Sequence, residues 1–217
     1  MKKNLTVKEI FAFALQKHKK NNLIIAEKFY KKILKINPNH FESIFLLGSL
    51  LAQTKKYDLA KQFLQKAIQI KPNHADSHNN LGNVISELGD FKNAENCYQK
   101  AIQIKPNQVD AYYNYGNTLK KLGEYQKAIN YYEKTIQIKP NYLNVRNNLG
   151  IIFKELGEYQ KAINWYEKEI KIQPKHAGAH YNLGIIFQEL GEYQKAINWY
   201  GKAIQIKPNH ADSHNNL

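Results

Sequence analysis

The sequence predicts an all-α solenoid of stacked antiparallel helix pairs. Three observations predict it: prolines on a 34-residue period, helical apolar stripes on both sides of a tight turn, and small residues at fixed places within those stripes. Pro38, Pro72, Pro106, Pro140, Pro174 and Pro208 are all the prolines of the 217-residue chain, and each lies 34 residues after the last. Self-similarity at such a period marks a stack of supersecondary units rather than one globular core. Alanine keeps the same step at Ala26, Ala60, Ala94, Ala128, Ala162 and Ala196, as does glycine at Gly48, Gly82, Gly116, Gly150 and Gly184. Tyrosine holds one position at Tyr30, Tyr98, Tyr132, Tyr166 and Tyr200, with Leu64 the exception.

Residues 75–108 show how a unit is built. Leu81, Val84, Ile85 and Leu88 fall at i, i+3, i+4 and i+7, one stripe of a 3.6-residue helix. Gly89 follows, the residue that closes a helix in the left-handed conformation at least cost. A second stripe runs through Phe91, Ala94, Tyr98, Ala101, Ile102 and Ile104, and Pro106 stops it. Gly82 and Ala94 are small where the paired helices should approach most closely. Such a pair has two apolar sides, so it is stable only when stacked on neighbours.

These residues resemble the tetratricopeptide repeat family, with Leu-Gly in the first helix, an alanine and an aromatic in the second, and a closing proline. The resemblance runs from Val7 to Leu217 as one domain spanning 1–217: units 7–40, 41–74, 75–108, 109–142, 143–176 and 177–210, and a partial unit 211–217. It implies a right-handed superhelix whose first helices line a concave surface and whose second helices form the outer wall. The wording around Asn79–Asn83 and Tyr98–Ile102 is similar to the repeats of O-linked N-acetylglucosamine transferases and related bacterial proteins.

The two ends depart from the pattern. In the first unit Ala14 replaces the helix glycine, Asn21 the turn glycine and Ile33 the small alanine, as suits a cap packed on one side only. At the other end Lys202–Leu217 repeats Lys66–Leu81 unchanged and stops seven residues into a first helix. That reads as a segment of a longer array, with Ala203, Ile204 and Ile206 left apolar and open to end-to-end self-association.

Asparagine recurs at one first-helix position: Asn80, Asn114, Asn148, Asn182 and Asn216. It is a poor interior helix residue, costing about 0.5 kcal/mol against alanine. By resemblance this is the asparagine ladder of O-linked N-acetylglucosamine transferases, where a carboxamide grips the backbone of an extended peptide whatever its side chains. Asn83, Asn117, Tyr113 and Tyr181 share the inner-facing register and complete the candidate peptide site. The family's carboxylate clamp needs lysine or arginine at several of these places, and only Lys120 qualifies.

The net charge of +14 raises nucleic acid as a partner. Its lysines, however, recur on second helices, at Lys32, Lys66, Lys100, Lys134, Lys168 and Lys202, and arginine occurs once, at Arg146. A solvated outer face accounts for the charge better. The pairs His74 and His78, His176 and His180, His210 and His214 stand four apart, but each straddles a helix start with only an aspartate for a third ligand, so no metal site is expected. No phosphate loop or nucleophile–base motif is present, and the chain reads as no enzyme, with no cofactor. No apolar run reaches a membrane span, and the lone Cys97 fits a reducing compartment, so the cytoplasm is the expected place. Glu169 stands where Ala67, Ala101 and Ala203 stand elsewhere, and a buried carboxylate needs a partner, for which His180 is the candidate.

The reading is a non-catalytic scaffold that binds other proteins or peptide segments. Two alternatives are the recognition arm of a larger glycosyltransferase-like enzyme and a basic nucleic-acid-binding solenoid.

Overall fold

The structure is a computed structural model that describes residues 6–209 and Asn215. Among the described residues it is entirely helical. The first helices of the units are α1 (Val7–Lys19), α3 (Phe41–Gln53), α5 (Ala75–Glu87), α7 (Val109–Lys121), α9 (Val145–Glu155) and α11 (Ala177–Glu189). The second helices are α2 (Leu23–Ile36), α4 (Tyr57–Ile70), α6 (Phe91–Ile104), α8 (Tyr125–Ile138), α10 (Tyr159–Ile172) and α12 (Tyr193–Ile206). The chain divides into two compact bodies, Met1–Tyr115 and Gly116–Leu217, with the division inside α7. No described helix is long and apolar enough to cross a membrane.

Each first helix ends the same way. Gly89, Gly123, Gly157 and Gly191 have φ between 73° and 85°. The amide after each reaches back to a carbonyl five residues earlier, as from Asp90 to Ile85 at 3.1 Å and from Glu124 to Leu119 at 3.0 Å. Asn21 and Lys55 hold the equivalent places in the first two units at φ 57° and 59°. The turn survives there without glycine, at the strain a side chain carries in the left-handed region.

In every pair but the first, which carries Ala14, the helices meet at glycine. A Cβ on Gly82 would stand 2.7 Å from Cε1 of Tyr98, and one on Gly116 would stand 2.7 Å from Cε1 of Tyr132. The tyrosine ring thus occupies the volume an alanine methyl would need, and Tyr30, Tyr98, Tyr132, Tyr166 and Tyr200 are all buried. Where the second helix carries Leu64, the same approach is made to Gly48, at 2.9 Å.

The alanine positions fill the remaining core. In the N-terminal body Ala67 is sealed between Phe41 and Ile44. In the C-terminal body Ala162, Ile163 and Tyr166 meet Ala179, Leu183 and Ile186, with Trp199 and Phe187 against them. Trp199 therefore packs into the stack. On α12, Ala203 is fully buried, while Tyr193 and Ile197 are 66% and 43% exposed.

One first helix is short. α9 starts two residues later than its counterparts, with Asn144 at φ 65° before it. Glu169 is the cause: fully buried in α10, it points Oε1 at the backbone N–H of Asn144, 3.2 Å away. A carboxylate where Ala67, Ala101 and Ala203 stand in other units has drawn the start of α9 onto itself.

The glycine contact yields a test. Gly116→Ala should lower stability by about 2 kcal/mol in urea denaturation, because the methyl overpacks against Tyr132. On an open helix the same exchange would gain about 1 kcal/mol, so a stabilised variant would refute the contact.

Candidate functional site

The repeated asparagines form rungs between successive first helices. Asn80 Nδ2 donates to Ser49 Oγ at 3.0 Å, and Asn114 Nδ2 to Asn79 Oδ1 at 3.0 Å. Asn148 Nδ2 donates to Asn117 Oδ1 at 3.0 Å, and Asn182 Nδ2 to Asn147 Oδ1 at 3.1 Å. The acceptor lies either 31 or 35 residues back, two places one helical turn apart and so on one face. The short polar side chain decides which is used. Thirty-five back from Asn80 and Asn148 stand Phe45 and Tyr113, and 31 back from Asn182 stands Ile151. Asn114 has asparagine at both and bonds to Asn79.

Exposure differs along the register. Asn80, Asn114 and Asn182 are half-buried, whereas Asn148 is only 8% exposed. Asn216 lies outside the described residues. Lys120 Nζ donates to Asn148 Oδ1 at 2.9 Å, and burial, then Lys121, lowers its pKa. Tyr113 is half-buried, and Tyr181 sits against Tyr200 with ring centroids 5.7 Å apart.

Asn83 and Asn117 hold a second task. Their Oδ1 atoms accept from the hydroxyls of Tyr98 and Tyr132, at 2.9 and 2.8 Å. In the last two units that position is Ile151 and Ile185. Tyr200 finds Gln188 Oε1 instead, at 2.6 Å. Tyr166 has Lys154 where Gln188 would be, and its hydroxyl is buried without a partner. Burial, then the charges of Glu155 and Glu189, pushes that phenol well above its usual range. This is the one difference between two otherwise identical stretches of sequence.

The histidines serve the backbone. His40 and His74 cap α3 and α5, their Nδ1 accepting from Ser43 and Ser77 N–H at 3.2 Å. His78 and His180 donate from Nε2 to the carbonyls of Pro72 and Pro174, at 2.8 and 2.9 Å. Tyr112 and Arg146 do the same for Pro106 and Pro140. Sequence reasoning missed this position. Its signal was a long-reaching donor six residues after every one of these prolines. For His74 and His78 the four-residue spacing is thus a cap plus a carbonyl donor, whereas His176 makes no side-chain cap bond, and no three histidine, cysteine or acidic side chains gather around a common point among the described residues. Glu169 is not paired with His180: its Oε1 takes Asn144 N–H and Gln173 Nε2, the latter at 2.7 Å, because His180 is turned toward Pro174. Cys97 is half-buried, and burial, then Asp90, pushes its thiol up to about 11.

Fold and site together define an all-helical tandem-repeat protein whose units are joined by side-chain rungs. A tetratricopeptide-repeat profile matches residues 41–107, 73–141, 109–175 and 177–210. The chain belongs to the tetratricopeptide repeat family. The match begins after the first unit, where the pattern is degenerate. No curated protein sequence matches the chain. Among solved structures it is similar to MamA, at 25% identity and TM-score 0.67 over 76% of this chain and 97% of that one. It is similar in fold to YrrB, described as a TPR protein with an unusual peptide-binding site, at 24% identity and TM-score 0.64 over 86% and 96%. It is also similar in fold to PilW, a type IV pilus biogenesis factor, at 18% identity and TM-score 0.88 over 98% and 99%.

The unpaired hydroxyl sets up a contrast. Tyr132→Phe should cost about 1 kcal/mol, whereas Tyr166→Phe should be neutral or stabilising by up to about 1 kcal/mol. Equal losses in paired melts would overturn the assignment.

A second expectation concerns pH. Burial, ahead of the Pro174 hydrogen bond, lowers the pKa of His180 below its ordinary 6.5, and burial lowers His18 and His74 likewise. The folded state then binds fewer protons than the unfolded chain. Its contribution to stability is complete above 6.5 and is lost as pH falls below that value. Melting temperatures at pH about 7.5 and about 5.5 should differ less in His180→Gln than in the wild type.

Proposed function

We propose that the chain is a non-catalytic protein-interaction scaffold that holds extended polypeptide segments along its first helices. The observation that carries this reading is the repeated carboxamides within each body, each anchored to the preceding first helix by one N–H. The anchor fixes the direction of the group before a ligand arrives, which cuts the ordering cost of binding. A carboxamide has two N–H groups and two lone-pair directions, more than one rung bond uses. Helices packed about 10 Å apart present such groups once per three residues of an extended chain, whose backbone rises about 3.3 Å per residue. Main-chain recognition of this kind tolerates varied side chains, with Tyr113, Tyr181 and Lys120 beside the rungs available to bias the choice. Repeat-family membership and the likeness to YrrB, itself described as having a peptide-binding site, support the same reading.

Selection from a peptide library, followed by titration of a selected peptide, tests it. The triple variant Asn80→Ala, Asn114→Ala, Asn182→Ala should bind the peptide at least about tenfold more weakly, a loss of about 1.4 kcal/mol. A variant that stays folded by circular dichroism and keeps wild-type affinity would sink the proposal.

A further inference from the structure

The second helices share one lysine per unit, but α2 carries four along a single stripe. Lys28, Lys31, Lys32 and Lys35 fall at i, i+3, i+4 and i+7, two turns of one face, and all four are exposed. At the same places α4 reads Gln62, Gln65, Lys66 and Gln69, and α6 reads Asn96, Gln99, Lys100 and Gln103. Lys32 is therefore the repeat constant, Lys28 and Lys31 occur on α2 alone, and Lys35 recurs only as Lys171 of α10.

The repeat constant is elsewhere occupied locally. Lys66 donates to the carbonyl of Pro38 at 2.8 Å, Lys100 and Lys134 donate to Gln103 and Gln137, and Lys168 and Lys202 lie over the rings of Trp165 and Trp199. On α2 the nearby acids are already used. Glu27 holds both Lys31 and Lys56, at 2.6 and 2.9 Å, and Glu9 is folded into the cap of α1 with Thr6. Among the described residues no carboxylate pairs with Lys28, Lys32 or Lys35. These lysines and Phe29 line a groove of about 550 Å³, and Phe29 is held edge-on to Phe13 with centroids 4.7 Å apart. Self-repulsion among four ammonium groups over two turns, only Lys31 of which has an acidic partner, destabilises the helix, and an anionic partner would reverse that cost.

We infer that this face of α2 is a docking surface for an acidic polypeptide segment carrying an apolar side chain, separate from the carboxamide rungs. Carboxylates answer the lysine stripe, and the groove over Phe29 takes the apolar group. A polypeptide fits better than a nucleic acid because the stripe is one helix wide and holds no arginine, the side chain that grips phosphate with two parallel bonds.

The probe is a fluorescent synthetic peptide of about ten residues, mostly glutamate with one central phenylalanine, titrated at two salt concentrations and followed by anisotropy. Lys28→Gln, Lys32→Gln, Lys35→Gln should weaken binding at least about tenfold, and replacing the peptide phenylalanine by serine should weaken it further. The control Lys100→Gln, Lys134→Gln, Lys168→Gln removes the same charge elsewhere and should leave affinity within about twofold. Equal losses in both variants would reduce the effect to net charge and overturn the inference. Tighter binding of a single-stranded oligonucleotide of equal formal charge, at the same salt, would overturn it as well. Circular dichroism confirms that both variants are folded, and the carboxamide triple variant, intact on α2, should bind the probe like the wild type.

Discussion

In the four units from residue 75 to 210 the pairing hangs on the place where glycine of the first helix lies under the tyrosine ring of the second. With 2.7 Å between a would-be Cβ on Gly82 and the Tyr98 ring, the helices approach more closely than any other residue permits. That approach sets the register in which the two helices meet. It also carries the tyrosine hydroxyl across to the first helix, where Asn83 and Asn117 receive it. Asn117, held in the same way by Tyr132, also receives the rung from Asn148. A steric contact in the core thus brings a core hydroxyl to polar groups of the first-helix face.

The polar network is built from interchangeable donors. Histidine, tyrosine and arginine all satisfy the proline carbonyl six residues earlier, because the geometry asks only for a hydrogen at a given reach. The demand itself is set by the backbone, since a turn that proline forces out of the helix leaves its carbonyl without an intrahelical partner. Where the network is incomplete the consequence is local. Tyr166 is left with a buried, unpartnered hydroxyl, and Glu169 pulls the first turn of α9 out of the helix. Neither exception disturbs the packing of the alanine and tyrosine positions around it.

For a scaffold this division of labour matters. Rungs between first helices stiffen the face that would meet a peptide, while the second helices keep solvated lysines that are tied to local partners. The stripe on α2 stands apart from both, which is why charge that averages to an unspecific surface over the whole chain acquires a location on one helix.

Much of this was legible in the residues. The proline period and the turn glycines specify helix pairs with one kind of junction, because backbone conformation and apolar periodicity are local properties of the chain, whereas the meeting of Gly82 with Tyr98 rather than Ala94 came from the packing. The rung positions were legible as a register too. What each rung bonds to was not, since the acceptor depends on which side chain of another helix falls one turn nearer. The same holds for Glu169, whose position suggested a buried acid but whose partner proved to be a backbone N–H at Asn144 rather than His180. Helices and turns followed from short-range sequence. The pairing of polar atoms across 25 to 35 residues was decided only by the tertiary structure, because a hydrogen bond requires a distance and a direction that repeat spacing alone does not contain.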